Sequence, residues 1–210
     1  RTIVNCAAFT NVKLAEKERE KADLVNHFAV DNLARICCKK DIQLIHISTD
    51  FVFDGSKKYP YNEMDNPNPI NFYGLSKLNG EKKILSYNLN KSIIIRTSWL
   101  YSESENNFVS RIINKIINGN DIEVIDNEFG SPTSATDLAY TILNIIPKLK
   151  NNQTETYHFS NSGVCSRYEL ANTISMIINT NSKVMKTSNA NTIVNRPKFS
   201  SLDCTKIRNE

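Results

Sequence analysis

Glycine is scarce in this chain: six in 210 residues (Gly55, Gly74, Gly80, Gly119, Gly130, Gly163), none of them grouped as GxGxxG or GxxGxxG. That excludes a glycine-rich phosphate-binding turn from these residues, since such a turn needs several glycines within one strand-to-helix bend. Cysteine is scarce as well, with five residues, one adjacent pair (Cys37, Cys38) and no CxxC or CxxH spacing. An odd count without ligand spacing fits neither a secreted disulfide framework nor a zinc site, and reduced thiols in a cytoplasmic protein are expected. His27, His46 and His158 have no paired ligand spacing either, so no metal is expected and all three read as structural. No apolar run approaches the roughly 18 residues that a membrane helix requires. The net charge is only +4 with lysines spread along the chain, which leaves no basic stripe for nucleic acid. The chain opens Arg1-Thr2-Ile3-Val4-Asn5, with neither an initiator methionine nor a signal-peptide pattern, and reads as a fragment or a chain whose start is missing.

What is present suits one soluble domain over residues 1–210, with 40% hydrophobic and 23% charged residues. Short β-rich runs alternate with helical periodicity, the pattern of an α/β fold whose parallel sheet is covered on both faces. Strands are expected at Thr2–Asn5, Ile42–Ile47, Ser92–Ile95, Asp121–Ile125 and Thr156–Phe159. Helices are expected over Glu20–Lys40, with Leu24, Phe28, Leu33 and Ile36 facing the core, and over Phe72–Leu89, with Leu75, Leu78, Leu85 and Leu89 as its buried stripe. Three further helices are expected at Asn107–Asn118, Ser134–Ile146 and Ser166–Asn179, the last two opening on capping-box-like pairs, Ser134 with Asp137 and Ser166 with Glu169. Asp23 and Glu81 fall on faces expected to be solvated. The long Gly/Pro/Asn-rich segment Asp54–Asn71 reads as a functional loop.

Two groups of residues carry chemistry. Tyr73 and Lys77, four apart on one helix, share a face. A phenol with a pKa near 10 becomes useful at neutral pH if an adjacent ammonium favours its phenolate, the role expected of Lys77. Ser48-Thr49-Asp50 stands at the carboxyl end of a buried strand, where ligands of open α/β sheets bind. A hydroxyl at Thr49 holding a carbonyl oxygen, with Tyr73 exchanging its proton, suits interconversion of ketone and alcohol with hydride from a nicotinamide. Asp50 reads either as a functional carboxylate or as a turn cap.

The runs Ser48-Thr49-Asp50-Phe51-Val52-Phe53-Asp54-Gly55, Pro60-Tyr61-Asn62-Glu63, Asn71-Phe72-Tyr73-Gly74-Leu75-Ser76-Lys77-Leu78 and Gly80-Glu81 resemble the dTDP-4-dehydrorhamnose reductase family of extended short-chain dehydrogenase/reductases. Asn5-Cys6-Ala7-Ala8-Phe9-Thr10, Arg96 to Tyr101, Phe129 to Thr133 and Arg196-Pro197 continue the resemblance along nearly the whole chain. It implies a Rossmann-like doubly wound sheet, incomplete at its N-terminal side, over about residues 1–100, and a small substrate-binding part over about 101–210. It also implies NADPH- or NADH-dependent reduction of the 4-keto group of a dTDP-sugar, dTDP-4-dehydro-L-rhamnose, for surface polysaccharide, with Thr49, Tyr73 and Lys77 as catalytic residues. Ala7, Ala8, Phe9, Ser48, Thr97 and Ser98, together with Tyr73 and Lys77, are thereby assigned to the cofactor, and Thr49, Asp50, Trp99 and Arg196 to the substrate. A homodimer is compatible with it.

Two departures stand out. Phe51 occupies a position where the family usually carries tyrosine, and the resemblance begins only at the strand containing Asn5, so the glycine-rich βαβ portion, roughly 50 residues, is expected to be absent from this sequence. A non-catalytic regulatory subunit like that of S-adenosylmethionine synthetase, and an inactive truncated remnant, are the alternative readings.

Overall fold

Runs of isoleucine and leucine too apolar for a half-solvated sheet build the centre of the molecule. The computed structural model describes residues 1–104, 107–150, 152–188 and 194–210. In chain order its first half comprises β1 (Thr2–Asn5), α1 (Val12–Lys17), α2 (Arg19–Asp23), a π-helical turn at Leu24–Phe28, α3 (Ala29–Lys40), β2 (Gln43–Thr49), α4 (Phe72–Tyr87), β3 (Ile93–Thr97) and β4 (Leu100–Tyr101). There follow α5 (Phe108–Ile117), β5 (Ile122–Ile125), β6 (Phe129–Gly130), β7 (Thr133–Ser134), α6 (Ala135–Ile145), β8 (Glu155–Phe159), β9 (Cys165–Ser166), α7 (Arg167–Ile178), β10 (Val184–Thr187) and α8 (Thr205–Arg208).

The main sheet has the order β1-β2-β3-β8, with all pairs parallel. Every residue of β3 is buried, as expected of a strand covered on both faces. One face packs Leu44 and Ile94 against Val30, Ala34, Cys37 and Ile84 of α3 and α4. The other sets Ile45, Ile93, Ile95 and Tyr157 against Leu138, Ile142 and Ile145 of α6. A third cluster, from α5, α7, β5 and β10, forms a second lobe. The expected extended run near Asp121–Ile125 therefore exists as β5, yet it pairs with β10 in a separate two-stranded sheet.

Three expected faces are corrected. In α4, Leu75 and Leu85 are 40% and 42% exposed, and the buried face runs through Gly74, Lys77, Leu78, Glu81 and Ile84. Leucine spacing misleads there because two charged residues occupy core-facing positions. Glu81, placed on a solvated face by its charge, is fully buried. Before α3, the π-turn adds a residue to one turn and rotates the phase of the helix. Asn26, Val30, Ala34 and Cys37 consequently face inward, while Leu24, Phe28 and Ile36 are exposed.

Local capping accounts for the helix starts. Ser166 and Glu169 form the expected reciprocal box at α7. Ser134 caps the Asp137 amide at 3.3 Å, but the Asp137 carboxylate accepts from Asn161 at 2.7 Å, so α6 has half a box. The loop after Asp54 is tied down by backbone bonds of Tyr61 to Ser201 and Asp203 at 2.9 and 2.7 Å. The Asn71 side chain, which caps α4, also donates to the Asn195 carbonyl at 3.0 Å, fixing the approach of the residue that follows, Arg196.

Candidate active site

A cavity of about 720 Å³ opens where β2 and β3 end, between the main sheet and the second lobe. Thr49, Asp50, Tyr73 and Lys77 line its sheet side, Thr97, Ser98 and Trp99 its back, and Arg167 and Arg196 its far wall. The short segment after β2 and the start of α4 are drawn together at Gly74. A Cβ there would stand 2.1 Å from the Phe51 carbonyl oxygen, so only glycine permits Tyr73 to sit this close to Thr49.

Thr49 Oγ1 donates to Asp50 Oδ1 at 3.1 Å and accepts from the Phe51 amide at 3.2 Å, and its hydroxyl stands near the Tyr73 phenol. Burial pushes the Tyr73 phenol up to about 12, the nearby Thr49 hydroxyl pulls it down, and the Asp50 charge adds to the rise. The expected depression by Lys77 is not found, because the Lys77 amine is directed elsewhere: Nζ donates to the Ile47 carbonyl at 2.7 Å and meets His46 Nε2 at 3.2 Å. Burial lowers Lys77 to about 8, against the pull of Glu81 and Cys6. Asp50 is buried and raised to about 6 by desolvation, opposed by the nearby Ser200 and Thr49 hydroxyls and by Arg167. Its Oδ2 has no hydrogen-bond partner, and the same holds for Thr97 Oγ1 and Arg196 Nε. Among the described residues these are three of four such atoms, the fourth being Thr180 Oγ1 away from the cavity, and the three on cavity-lining residues mark places where a ligand's polar groups would complete the bonding.

Beneath the cavity lies a buried ion pair. Arg96 contacts Glu81 through Nε at 3.0 and 3.2 Å and through Nη2 at 2.7 Å. The Ser48 hydroxyl donates to the same carboxylate. Ser48, assigned by sequence to the cofactor, therefore has its hydroxyl committed to Glu81. Of Ala7, Ala8 and Phe9, Ala8 lines the cavity, whereas Phe9 has its backbone clamped by the buried Asn26 side chain, N–H to Oδ1 at 2.8 Å and Nδ2 to C=O at 3.1 Å. Asn26 also donates to Ser76 on α4 at 3.0 Å, joining that segment to the helix that carries Tyr73 and Lys77. Ser98 Oγ donates to the Ser131 carbonyl at 2.7 Å.

Trp99 has φ +45°, a left-handed conformation unusual for a bulky residue. Its ring lies 3.6 Å from the Arg167 guanidinium, and Gly130 passes so closely that a Cβ would be 2.5 Å from the indole. Arg167 is the residue that sequence reasoning missed. It is the first residue of α7, and burial lowers it to about 10, with Glu128 opposing and the neighbouring Arg196 reinforcing that shift. Glu128 lies 3.7 Å from Arg167 and 4.0 Å from Arg196, so one carboxylate faces two guanidinium groups. The capping box Ser166/Glu169 was the one available signal, because it fixes where the arginine enters.

A parallel α/β sheet with a threonine at a strand end and a Tyr-x-x-x-Lys helix over the same cavity defines a Rossmann-like α/β protein with a candidate site at the strand ends. The chain belongs to the family described as RmlD substrate binding domain, whose model matches residues 1–210. It is similar to a spore coat polysaccharide biosynthesis protein of Bacillus subtilis, SpsK, at 40% identity over 172 residues, 82% of this chain and 59% of that protein. A dTDP-4-dehydrorhamnose reductase of Aggregatibacter actinomycetemcomitans is 35% identical over 217 residues, 98% of this chain and 74% of that one. Among solved structures, a dTDP-4-dehydrorhamnose reductase of Bacillus anthracis in complex with NADP matches with a TM-score of 0.92 at 38% identity, over 99% of this chain and 73% of that chain. The chain thus spans under 60% of the length of the first curated relatives it matches.

Proposed function

We propose that this chain carries the catalytic and substrate-side part of an NADPH- or NADH-dependent reductase. The reaction is conversion of the 4-keto group of dTDP-4-dehydro-L-rhamnose to the alcohol of dTDP-L-rhamnose, in the cytoplasm, for surface polysaccharide. The observation that carries this reading is the convergence of Thr49, Tyr73 and Lys77 on one cavity that also holds the unpartnered Thr97 Oγ1 and Asp50 Oδ2. Similarity to reductases named for this sugar supports the choice of substrate.

The residues present fit a nicotinamide cofactor: the buried Thr97 hydroxyl lacks a partner, and Lys77, Ala8 and Ser98 line the same cavity. Lys77 would hold the ribose, with Thr97 and Ser98 beside the nicotinamide. When bound, that group supplies the hydride for the carbonyl carbon. Tyr73 keeps its proton at every physiological pH, so it serves as the donor to the oxygen at C4 once negative charge develops there. Thr49, beside the phenol, would turn its hydroxyl proton from Asp50 to the same oxygen. Asp50 Oδ2 accepts from a sugar hydroxyl. Arg167 and Arg196, which share the Glu128 carboxylate, retain positive charge for the diphosphate, and Trp99 offers its indole to the sugar. Residues 1–100 form mainly the cofactor side and 101–210 mainly the substrate side.

The test is NADPH oxidation with dTDP-4-dehydro-L-rhamnose by the full-length protein, compared with Tyr73→Phe. Turnover abolished by the substitution supports the reading. Absence of turnover together with co-purification of a synthetase overturns it in favour of a regulatory subunit.

A further inference from the structure

His46 is buried in β2, directly under Lys77, and the ordinary account of it is a satisfied core histidine. Its two ring nitrogens are nevertheless both engaged by groups near the cavity. Nδ1 lies 3.0 Å from Asn5 Nδ2, and Nε2 lies 3.2 Å from Lys77 Nζ. The orientation of the Asn5 amide is set by its other end, where Oδ1 accepts from the Ala7 amide at 3.2 Å. Asn5 therefore presents N–H to Nδ1, which must accept. A neutral imidazole that accepts at Nδ1 carries its proton at Nε2, and that proton points at Lys77. An ammonium has only donors and would meet it donor to donor, whereas a neutral amine has a lone pair to receive it while still donating to the Ile47 carbonyl.

We propose that His46 is a positioning residue that sets the charge of Lys77, through a chain Ala7–Asn5–His46–Lys77 with two mutually exclusive arrangements. In one, Lys77 is the amine, His46 carries its proton at Nε2, and Asn5 caps the Ala7 amide. In the other, one proton has entered from solvent: Lys77 is the ammonium, the imidazole proton sits at Nδ1, Asn5 has turned to accept it, and the Ala7 N–H is released. The chain thereby links the residue beside the proposed proton donor to the backbone at the mouth of the proposed cofactor cleft. The inference rests on the functional reading above for its purpose, although not for its geometry.

Other groups facing Lys77 are accounted for. Glu81 and Tyr73 lie on its own helix, Cys6 approaches from the segment after β1, and the Glu81 charge is shared with Arg96 of β3 and the Ser48 hydroxyl of β2. Burial and a lowered Lys77 agree with an amine that is populated near neutral pH. His46 itself is held well below the ordinary histidine range, by burial first and by Lys77 second, and so stays neutral.

The experiment is NMR of protein carrying 15N-histidine and 13Cε-lysine, without substrate or cofactor, so that a failed reduction assay leaves its result standing and the reverse. Long-range 1H–15N spectra read the His46 tautomer, and the Cε shift reads the charge of Lys77, assigned with Lys77→Arg. Expected are an Nε2–H tautomer at pH 9 and a Lys77 midpoint below the ordinary lysine value of about 10.4. In His46→Gln the midpoint should rise by about one pH unit, as the amide turns its oxygen toward the ammonium, and in His46→Leu, which offers neither donor nor acceptor, it should move away from the unsubstituted value. A merely structural histidine would leave it unmoved. An Nδ1–H tautomer in the unsubstituted protein at pH 9, or the same midpoint in every variant, overturns the proposal. If the leucine variant fails to fold, the glutamine variant and the tautomer reading decide.

Discussion

Tyr73 and Asp50 are neighbours whose buried surroundings keep both protons in place longer than water would. For Tyr73 this means a donor that releases its proton only to a strong developing base. Tyr73→Phe is expected to cut turnover by at least about 100-fold, the ordinary worth of a positioned acid, while the thermal midpoint stays within a few degrees. For Asp50 the consequence is a stability term with a definite sign. Its folded-state pKa of about 6 lies above the unfolded value of 3.8, so the folded state binds the proton more tightly. That contribution is complete below pH 3.8 and is lost as pH rises through 6. Urea unfolding at pH 4 and pH 7 should show unsubstituted protein losing roughly 2–3 kcal/mol relative to Asp50→Asn over that interval, at about 1.4 kcal/mol per pH unit. A flat difference would mean that Asp50 is solvated.

Helix α4 shows how a functional element departs from the amphipathic rule. Its inward face carries Lys77 and Glu81 among Gly74, Leu78 and Ile84, and two of its leucines point to solvent. Glu81→Gln leaves the buried Arg96 guanidinium without its counter-charge and should cost about 3–5 kcal/mol in urea unfolding. Adding Arg96→Met should recover part of that loss, since the unpaired charge is then gone. Ile84→Ala, at a fully buried position, should cost about 2–5 kcal/mol, whereas Leu85→Gln should change stability by no more than about 0.5 kcal/mol. Equal losses at Ile84 and Leu85 would restore the leucine stripe that periodicity suggests.

At the scale of the whole molecule, the cavity depends on both halves of the chain: the first brings Thr49, Tyr73, Lys77 and, just past β3, Trp99, and the second brings Arg167 and Arg196. The fourth strand of the main sheet, β8, comes from the second half and binds the two together. Isothermal titration of NADPH into this 210-residue chain, beside a longer chain extended upstream through any glycine-rich turn, measures how much of the cofactor site these residues supply. Tighter binding by the longer chain, by at least about tenfold, is the expected outcome, because a glycine-rich turn at a helix N-terminus carries much of the pyrophosphate contact. Equal affinities would locate the whole site in the residues described, and binding by neither would favour the regulatory or remnant readings.

The α/β class, the strands near residues 2, 43, 93 and 155, the helix that carries Tyr73 and Lys77, and the threonine at the end of β2 were legible in the sequence by itself. They rest on local periodicity, on i,i+4 geometry and on turn chemistry, which act over a few residues. The family was legible because its motifs recur in order along the chain. Tertiary structure alone decided that Glu81 and Lys77 point inward, that Leu24, Phe28 and Ile36 point outward along the π-turn and α3, that β5 pairs with β10, and that Arg167 stacks on Trp99 and stands beside Arg196 at the cavity. It also directed Lys77 away from the phenol, toward Ile47 and His46. These outcomes depend on partners tens of residues away, and a buried charge is recognised only once the group that compensates it has been brought alongside.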